Sequence, residues 1–191
     1  MSSSITQVAN LRERKFEVAL QVALVVAASF FVALCARIYI PLPGTPIPLT
    51  VQNFGVLLVG LALGSRRGFA ALTLYLVEGA FGLPVFSPHG LGGIAQILGP
   101  TGGYLVAYPF VAALTGFIFE RAKATFARAA MASFAGEILL FAFGIAWLYV
   151  LTHSLVRALN FGLYWFIFAE VIKVMFSAAS VWIWQVFFPR E

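Results

Sequence analysis

The sequence predicts an all-α membrane protein with six transmembrane helices in a single domain, residues 1–191, and with both termini cytoplasmic. Three observations lead there. The chain is 62% hydrophobic and only 10% charged, where soluble domains carry about 25% charged residues, and its mean hydropathy is +0.97. Soluble packing at this length cannot hide so much apolar surface, because a large share of any folded surface stays wet. Apolar runs near the length of a spanning helix, about 20 residues, recur along the chain. Basic residues fall in the short segments between those runs, the pattern that orients membrane proteins.

The first run, Phe16 to Ile40, is long enough to span. Pro41, Pro43, Pro46 and Pro48 then make a loop that cannot be helical. The second run, Val51 to Leu63, is short and ends at Gly64-Ser65-Arg66-Arg67. The third runs from Gly68 to about Leu83 and stops at Pro84. Residues 84–103 form a Gly/Pro-rich loop in which Gly92 to Leu98 is a candidate short re-entrant turn. The fourth run covers Tyr104 to Phe119, the fifth about Ala129 to Leu151, and the sixth about Phe161 to Phe188.

One side then holds Arg12, Arg14, Lys15, Arg66, Arg67, Arg121, Lys123, Arg128 and Arg190, while the other holds only Arg37 and Arg157. That asymmetry places both termini in the cytoplasm. The proline loop, the Gly/Pro-rich loop and the 151–160 loop consequently face outward together, as a lid over a site. No small-residue cleavage site ends the first run, so it reads as a retained helix rather than a signal peptide. The net charge of +5 is spread between spans and forms no patch for nucleic acid. Cys35 is the single cysteine, so no intrachain disulfide can form.

Glu170 and Lys173 carry the most information. Three apart on a helix, they share a face at membrane depth, where ionisable groups are costly and usually face a cavity or the bundle interior. They make either a structural ion pair or a ligand socket, the carboxylate accepting N–H donors and the ammonium donating to an oxygen. Glu137, near the cytoplasmic end of the fifth run, is expected to reach the headgroups in a structural role. Glu78 lies deeper and needs a partner. Thr50 and Gln52 place a hydroxyl and an amide at the mouth of the second run, where Gln52 either finds a partner or stays exposed. Gly99-Pro100-Thr101-Gly102-Gly103-Tyr104 opens the fourth run, either as a tight turn or as backbone a ligand can approach closely. Ala19, Ala23 and Ala27 repeat every four residues, a spacing that allows close helix approach inside the chain or against another subunit. His89 and His153 stand too far from other ligating residues for a metal site, and no metal or cofactor is expected. The chain has no phosphate-binding G-x-x-x-x-G-K-[ST] loop, no H-E-x-x-H and no G-x-S-x-G, so it holds no ATPase motif of its own and no familiar hydrolase motif.

Several stretches together resemble the BioY family, the biotin-specific S components of energy-coupling-factor (ECF) vitamin transporters. They are the small-residue first helix, Pro48-Leu49-Thr50-Val51-Gln52-Asn53, Gly82-Leu83-Pro84-Val85-Phe86, Gly99-Pro100-Thr101-Gly102-Gly103-Tyr104, Gly144-Ile145-Ala146-Trp147-Leu148 and Ile172-Lys173. The resemblance implies a six-helix S-component fold in the cell membrane. It also implies biotin bound near the outer side, and docking on a transmembrane coupling protein with cytoplasmic ATPases. It points to Glu170, Lys173, Gln52, Thr50, Phe86, Thr101, Gly102 and Tyr104 as substrate contacts, and to Ala19, Ala23 and Ala27 as the docking stripe. The acid three before Lys173 is Glu where family members often carry Asp, and Glu78 departs from the apolar residue usual in its stretch. Biotin suits such a socket: its cyclic urea offers two N–H donors and a carbonyl, and the rest is largely apolar apart from a carboxylate. The alternatives are an S component for another vitamin, an intramembrane enzyme using Glu170 on a lipid or peptide, and a scaffold without a ligand.

Overall fold

The computed structural model describes residues 2–187, with side chains from Glu13 to Val181 and at Ile183. Arg190 and the end of the sixth run at Phe188 lie outside these residues, as does the Arg12 side chain.

Helix α1, Ser2–Cys35, covers nearly all of the first apolar run. The proline loop behind it is clamped at its base by two short antiparallel strands, β1 (Tyr39–Ile40) and β2 (Leu49–Thr50), with Tyr39 opposite Thr50 and Ile40 opposite Leu49. All four prolines fall between the paired residues, where no ladder N–H is needed.

Helix α2, Gln52–Ala80, holds both the second and third predicted runs. It breaks at Gly64, whose φ of 78° and ψ of −179° are non-helical and open essentially to glycine alone. The two arms fold back on each other there: Gln52 Nε2 donates to Tyr75 Oη at 2.8 Å, although 23 residues of straight helix would separate them by about 35 Å. The Ser65 N–H freed at the break donates to Glu120 Oε2 at 3.1 Å.

The Gly/Pro-rich loop contains one short helix, α3 (Gly93–Leu98), where the re-entrant turn was expected. Helix α4, Gly102–Glu120, accommodates Pro109. Helix α5, Phe126–Thr152, starts on the Thr125 side-chain cap and stops where His153 turns left-handed at φ 50°.

The sixth run departs from expectation. Helix begins within the predicted 151–160 loop, at α6 (Leu155–Leu159), because Ser154 Oγ caps it by accepting from Arg157 N. A π-helical turn, Asn160–Tyr164, follows, then α7, Ile167–Phe187. The two helical parts are bent by 43°. The turn is held from outside: Phe161 O accepts from Thr45 Oγ1 and Gly162 O from Tyr104 Oη, each at 2.7 Å. Side chains thus take up carbonyls that an uninterrupted α-helix would keep.

Among the described residues, four helices are long and apolar enough to cross a membrane, or five if the bent pair is one span. The difference from six is α2, one helix by that measure and two arms by geometry. The main core joins α1, α2 and α4 around Tyr75, Leu57 and Leu72, all fully buried. Outward faces carry large exposed apolar side chains, Phe168 at 86% among them, as lipid-facing surfaces do.

Candidate functional site

A single pocket gathers most of the polar chemistry. Its cavity volume is only about 60 Å³, well below the about 300–1,000 Å³ usual for small-molecule sites, so its own side chains fill most of the space between the walls. Helices α2, α3, α4, α5 and α7 contribute. Gln52 and Asn53 come from α2, Thr101 just before α4, and Tyr104 and Tyr108 from α4. Phe141 comes from α5, while Phe166 precedes α7 and Glu170 and Lys173 lie on it. Ile47, Pro48 and Thr50 reach in from the proline loop, and Ser87 and Gln96 from the Gly/Pro-rich loop. Residues 151–160 do not line it, so two of the three predicted lid loops converge here.

At the floor, Lys173 Nζ lies 2.7 Å from Glu170 Oε1 and donates to Asn53 Oδ1 at 2.6 Å. Asn53 Nδ2 donates to Glu170 Oε2 and, at 3.2 Å, to Glu137 Oε1. Glu170 is 6% exposed and Glu137 4%. Burial of this kind is tolerated only where charges are paired and hydrogen-bonded. The i, i+3 spacing on α7 sets the ion pair, and the first turn of α2 delivers the amide that closes it.

The walls are aromatic, from Tyr104, Tyr108, Phe141 and Phe166. Tyr104 is fixed by its bond to Gly162 O. Trp147 Nε1 donates to Gly99 O at 2.9 Å and pins the turn that carries Thr101. Gln96 folds the opposite loop, accepting from Gly92 N at 3.1 Å and donating to Ser87 O at 3.3 Å. The Ser87 hydroxyl is buried with no partner among the described residues. Its donor and acceptor capacity is unused among the described residues.

Six of the residues singled out from sequence, Thr50, Gln52, Thr101, Tyr104, Glu170 and Lys173, line this pocket. The Gln52 amide is already engaged by Tyr75, which in turn donates to Val85 O at 3.0 Å. Phe86 packs edge-on to Tyr75 at 5.4 Å and does not line the pocket. Gly102 lies against Ile97 O and the Trp147 indole, outside the lining. Glu137 does not reach the headgroups: it sits eleven residues into α5, with its carboxylate against Asn53. Glu78 is partnered by Ser29 Oγ at 2.5 Å, away from the pocket. Asn53, Ser87 and Gln96 escaped the sequence reading. For Asn53 the signal was present, an amide inside an apolar run and one step from Gln52. For the other two only the folded loop supplies it.

Residues 6–189 match the BioY family. The chain is 33% identical over 155 residues to a Thermotoga maritima biotin transporter BioY, covering 81% of this chain and 90% of that protein. With a Rhizobium etli biotin transporter BioY it shares 37% over 166 residues, 79% of this chain and 84% of the other. A probable biotin transporter BioY of Pyrococcus horikoshii is 42% identical over 103 residues; the match spans 54% of this chain and 59% of that one. In fold the chain resembles the crystal structure of the S-component for biotin from an ECF-type ABC transporter, with a TM-score of 0.79 at 24% identity over 89% of this chain and 93% of that one.

Proposed function

The chain belongs to the BioY family, and from that premise we propose that it is the substrate-capturing subunit of a biotin uptake transporter. The observation that carries this reading is the buried Glu170–Lys173–Asn53 cluster at the floor of an aromatic-walled pocket. A cyclic urea brings N–H donors for a carboxylate and a carbonyl for an ammonium, and a site built on such groups rejects ligands that leave them unpaired. Tyr104, Tyr108, Phe141 and Phe166 hold the ring system, and Thr50, Thr101 and Ser87 stand nearer the loops for the remaining polar end. Phe86 and Gly102 support the pocket from behind through the contacts given above, while Gln52 lines it with its amide held by Tyr75. The relatives are named transporters, and Glu170 is assigned a binding role rather than a chemical one.

In this reading the two arms of α2 are separate crossings. Together with α1, α4, α5 and the bent α6–α7 pair they make six, and the charge asymmetry puts both termini in the cytoplasm of a cell-membrane protein. The short arms are compensated by the structured loops that extend them outward. The decisive experiment is calorimetric titration of the purified, detergent-solubilised chain with biotin. Saturable binding with one site per chain is expected; no heat from a demonstrably folded protein would remove biotin from the assignment.

Uptake also needs an energy source, and this chain has no phosphate-binding loop. We assign the Ala19, Ala23 and Ala27 face to contact with a transmembrane coupling protein that carries ATPases. All three alanines are exposed along α1. Ala23→Leu is expected to leave biotin affinity within twofold while lowering biotin uptake by cells co-expressing the module about tenfold or more, since small residues are what let helix backbones approach. Undiminished uptake in a labelled-biotin assay would move the docking surface elsewhere.

A further inference from the structure

The Asn53 amide makes with Glu170 and Lys173 the contacts that a urea would make. Its Nδ2 faces Glu170 Oε2 and Glu137 Oε1, and its Oδ1 accepts from Lys173. This orientation is the one chemistry allows, because an ionised carboxylate only accepts and an ammonium only donates. An amide and a cyclic urea present the same edge, an N–H beside a carbonyl. Asn53 therefore holds on Glu170 and Lys173 the positions that a substrate of that chemistry needs. Entry requires the amide to go somewhere, and a buried amide without partners is costly, about 1–3 kcal/mol for each group left unsatisfied.

Glu137 offers the place. It stands behind Asn53 on α5, outside the pocket lining, and one of its oxygens, Oε2, is buried with no partner among the described residues. Its other oxygen, Oε1, already takes one Asn53 N–H. We infer that Asn53 is a resident stand-in for the substrate's N–H/C=O edge, and that Glu137 is the positioning residue that receives the Asn53 amide when substrate enters. The inference rests on the biotin-capture reading. In the empty state Asn53 satisfies Glu170 and Lys173. In the loaded state the substrate satisfies them, and the Asn53 N–H groups turn to Glu137, so the exchange leaves neither carboxylate nor the amide nitrogen without a partner.

The test is a double-mutant cycle read by biotin titration in detergent, with wild type, Glu137→Gln, Asn53→Leu and the double variant. Glu137→Gln is expected to weaken binding about tenfold, since a neutral amide accepts less strongly than a carboxylate. In the Asn53→Leu background the same change is expected to alter affinity less than twofold, because Glu137 acts through Asn53. The unliganded melting temperature should be the same for Glu137→Gln and wild type, which a merely structural role for Glu137 would not give. If Asn53→Leu does not fold, Asn53→Ser closes the cycle. Equal losses in both backgrounds, or none in either, would overturn the inference and leave biotin capture standing. A folded wild type that gives no biotin signal sinks the capture reading and this one with it.

Discussion

Lys173→Ala is expected to lower biotin affinity by more than about 100-fold, a loss of at least about 2.7 kcal/mol of binding free energy. The ammonium reaches both Glu170 Oε1 and Asn53 Oδ1, and Glu137 lies on the far side of the same amide. Removing the cation leaves two buried carboxyl groups and no positive charge among the partners bonded to Asn53. Breaking one partner out of a buried pair typically destabilises by about 3–5 kcal/mol, most of it the stranded charge. Thermal unfolding in detergent should therefore fall together with affinity. Removing both charges separates the two effects. The double variant Lys173→Ala with Glu170→Ala should recover much of the melting temperature, since only one of the two buried carboxyl groups, Glu137, then remains beside Asn53, and none of the affinity. Lys173→Arg should not rescue binding either: a planar fork on a longer arm does not fit where a point charge meets two oxygens less than 3 Å away. Wild-type affinity in Lys173→Ala, measured by calorimetry, would remove the ion pair from the site.

How far the sequence could go is clearest at that same floor. The pairing of Glu170 with Lys173 follows from helical spacing and membrane depth, both local properties. Asn53 meets Glu170 across 117 residues and Glu137 across 84, and no local pattern encodes such a meeting. A run that starts near Ala129 leaves Glu137 close enough to its end to reach the headgroups, whereas the Thr125 cap starts the helix at Phe126 and carries Glu137 further from the end. The break before α7 was also out of reach. Its π turn is held by the Thr45 and Tyr104 hydroxyls, partners that become neighbours only after folding. The reach of α6 into the predicted loop, by contrast, was legible in Ser154, a good N-cap residue that composition alone marks as loop. The family resemblance supplied what the residues left open at the pocket, but it did not separate Thr101, which lines the wall, from Gly102, which packs beneath it.

Gly116→Val should abolish recovery of folded protein, through backbone contact alone. Gly60, Gly64 and Gly68 repeat every four residues around the fold-back of α2, and α4 lies against them. A side chain at Gly116 would meet Ser65 N, Gly64 C at 2.5 Å and Gly60 O at 2.9 Å. All three are main-chain atoms that cannot rotate aside, so α4 would have to move away from the fold-back. Small residues are what permit such approach between membrane helices, where packing rather than the hydrophobic effect drives association. Overpacking typically destabilises by about 1–3 kcal/mol, and by more where backbone must shift. Displacing α4 would also lift Glu120 from Ser65 N and leave that N–H without its acceptor. Gly55→Ala is the contrast: there the new methyl meets the Cys35 side chain, Sγ at 3.0 Å, which can yield. Its melting temperature in detergent should drop by a few degrees at most, with biotin binding retained. If Gly116→Val instead yields monodisperse protein melting within a few degrees of wild type, close packing of α4 on the Gly64 bend is not what holds the two arms of α2 together.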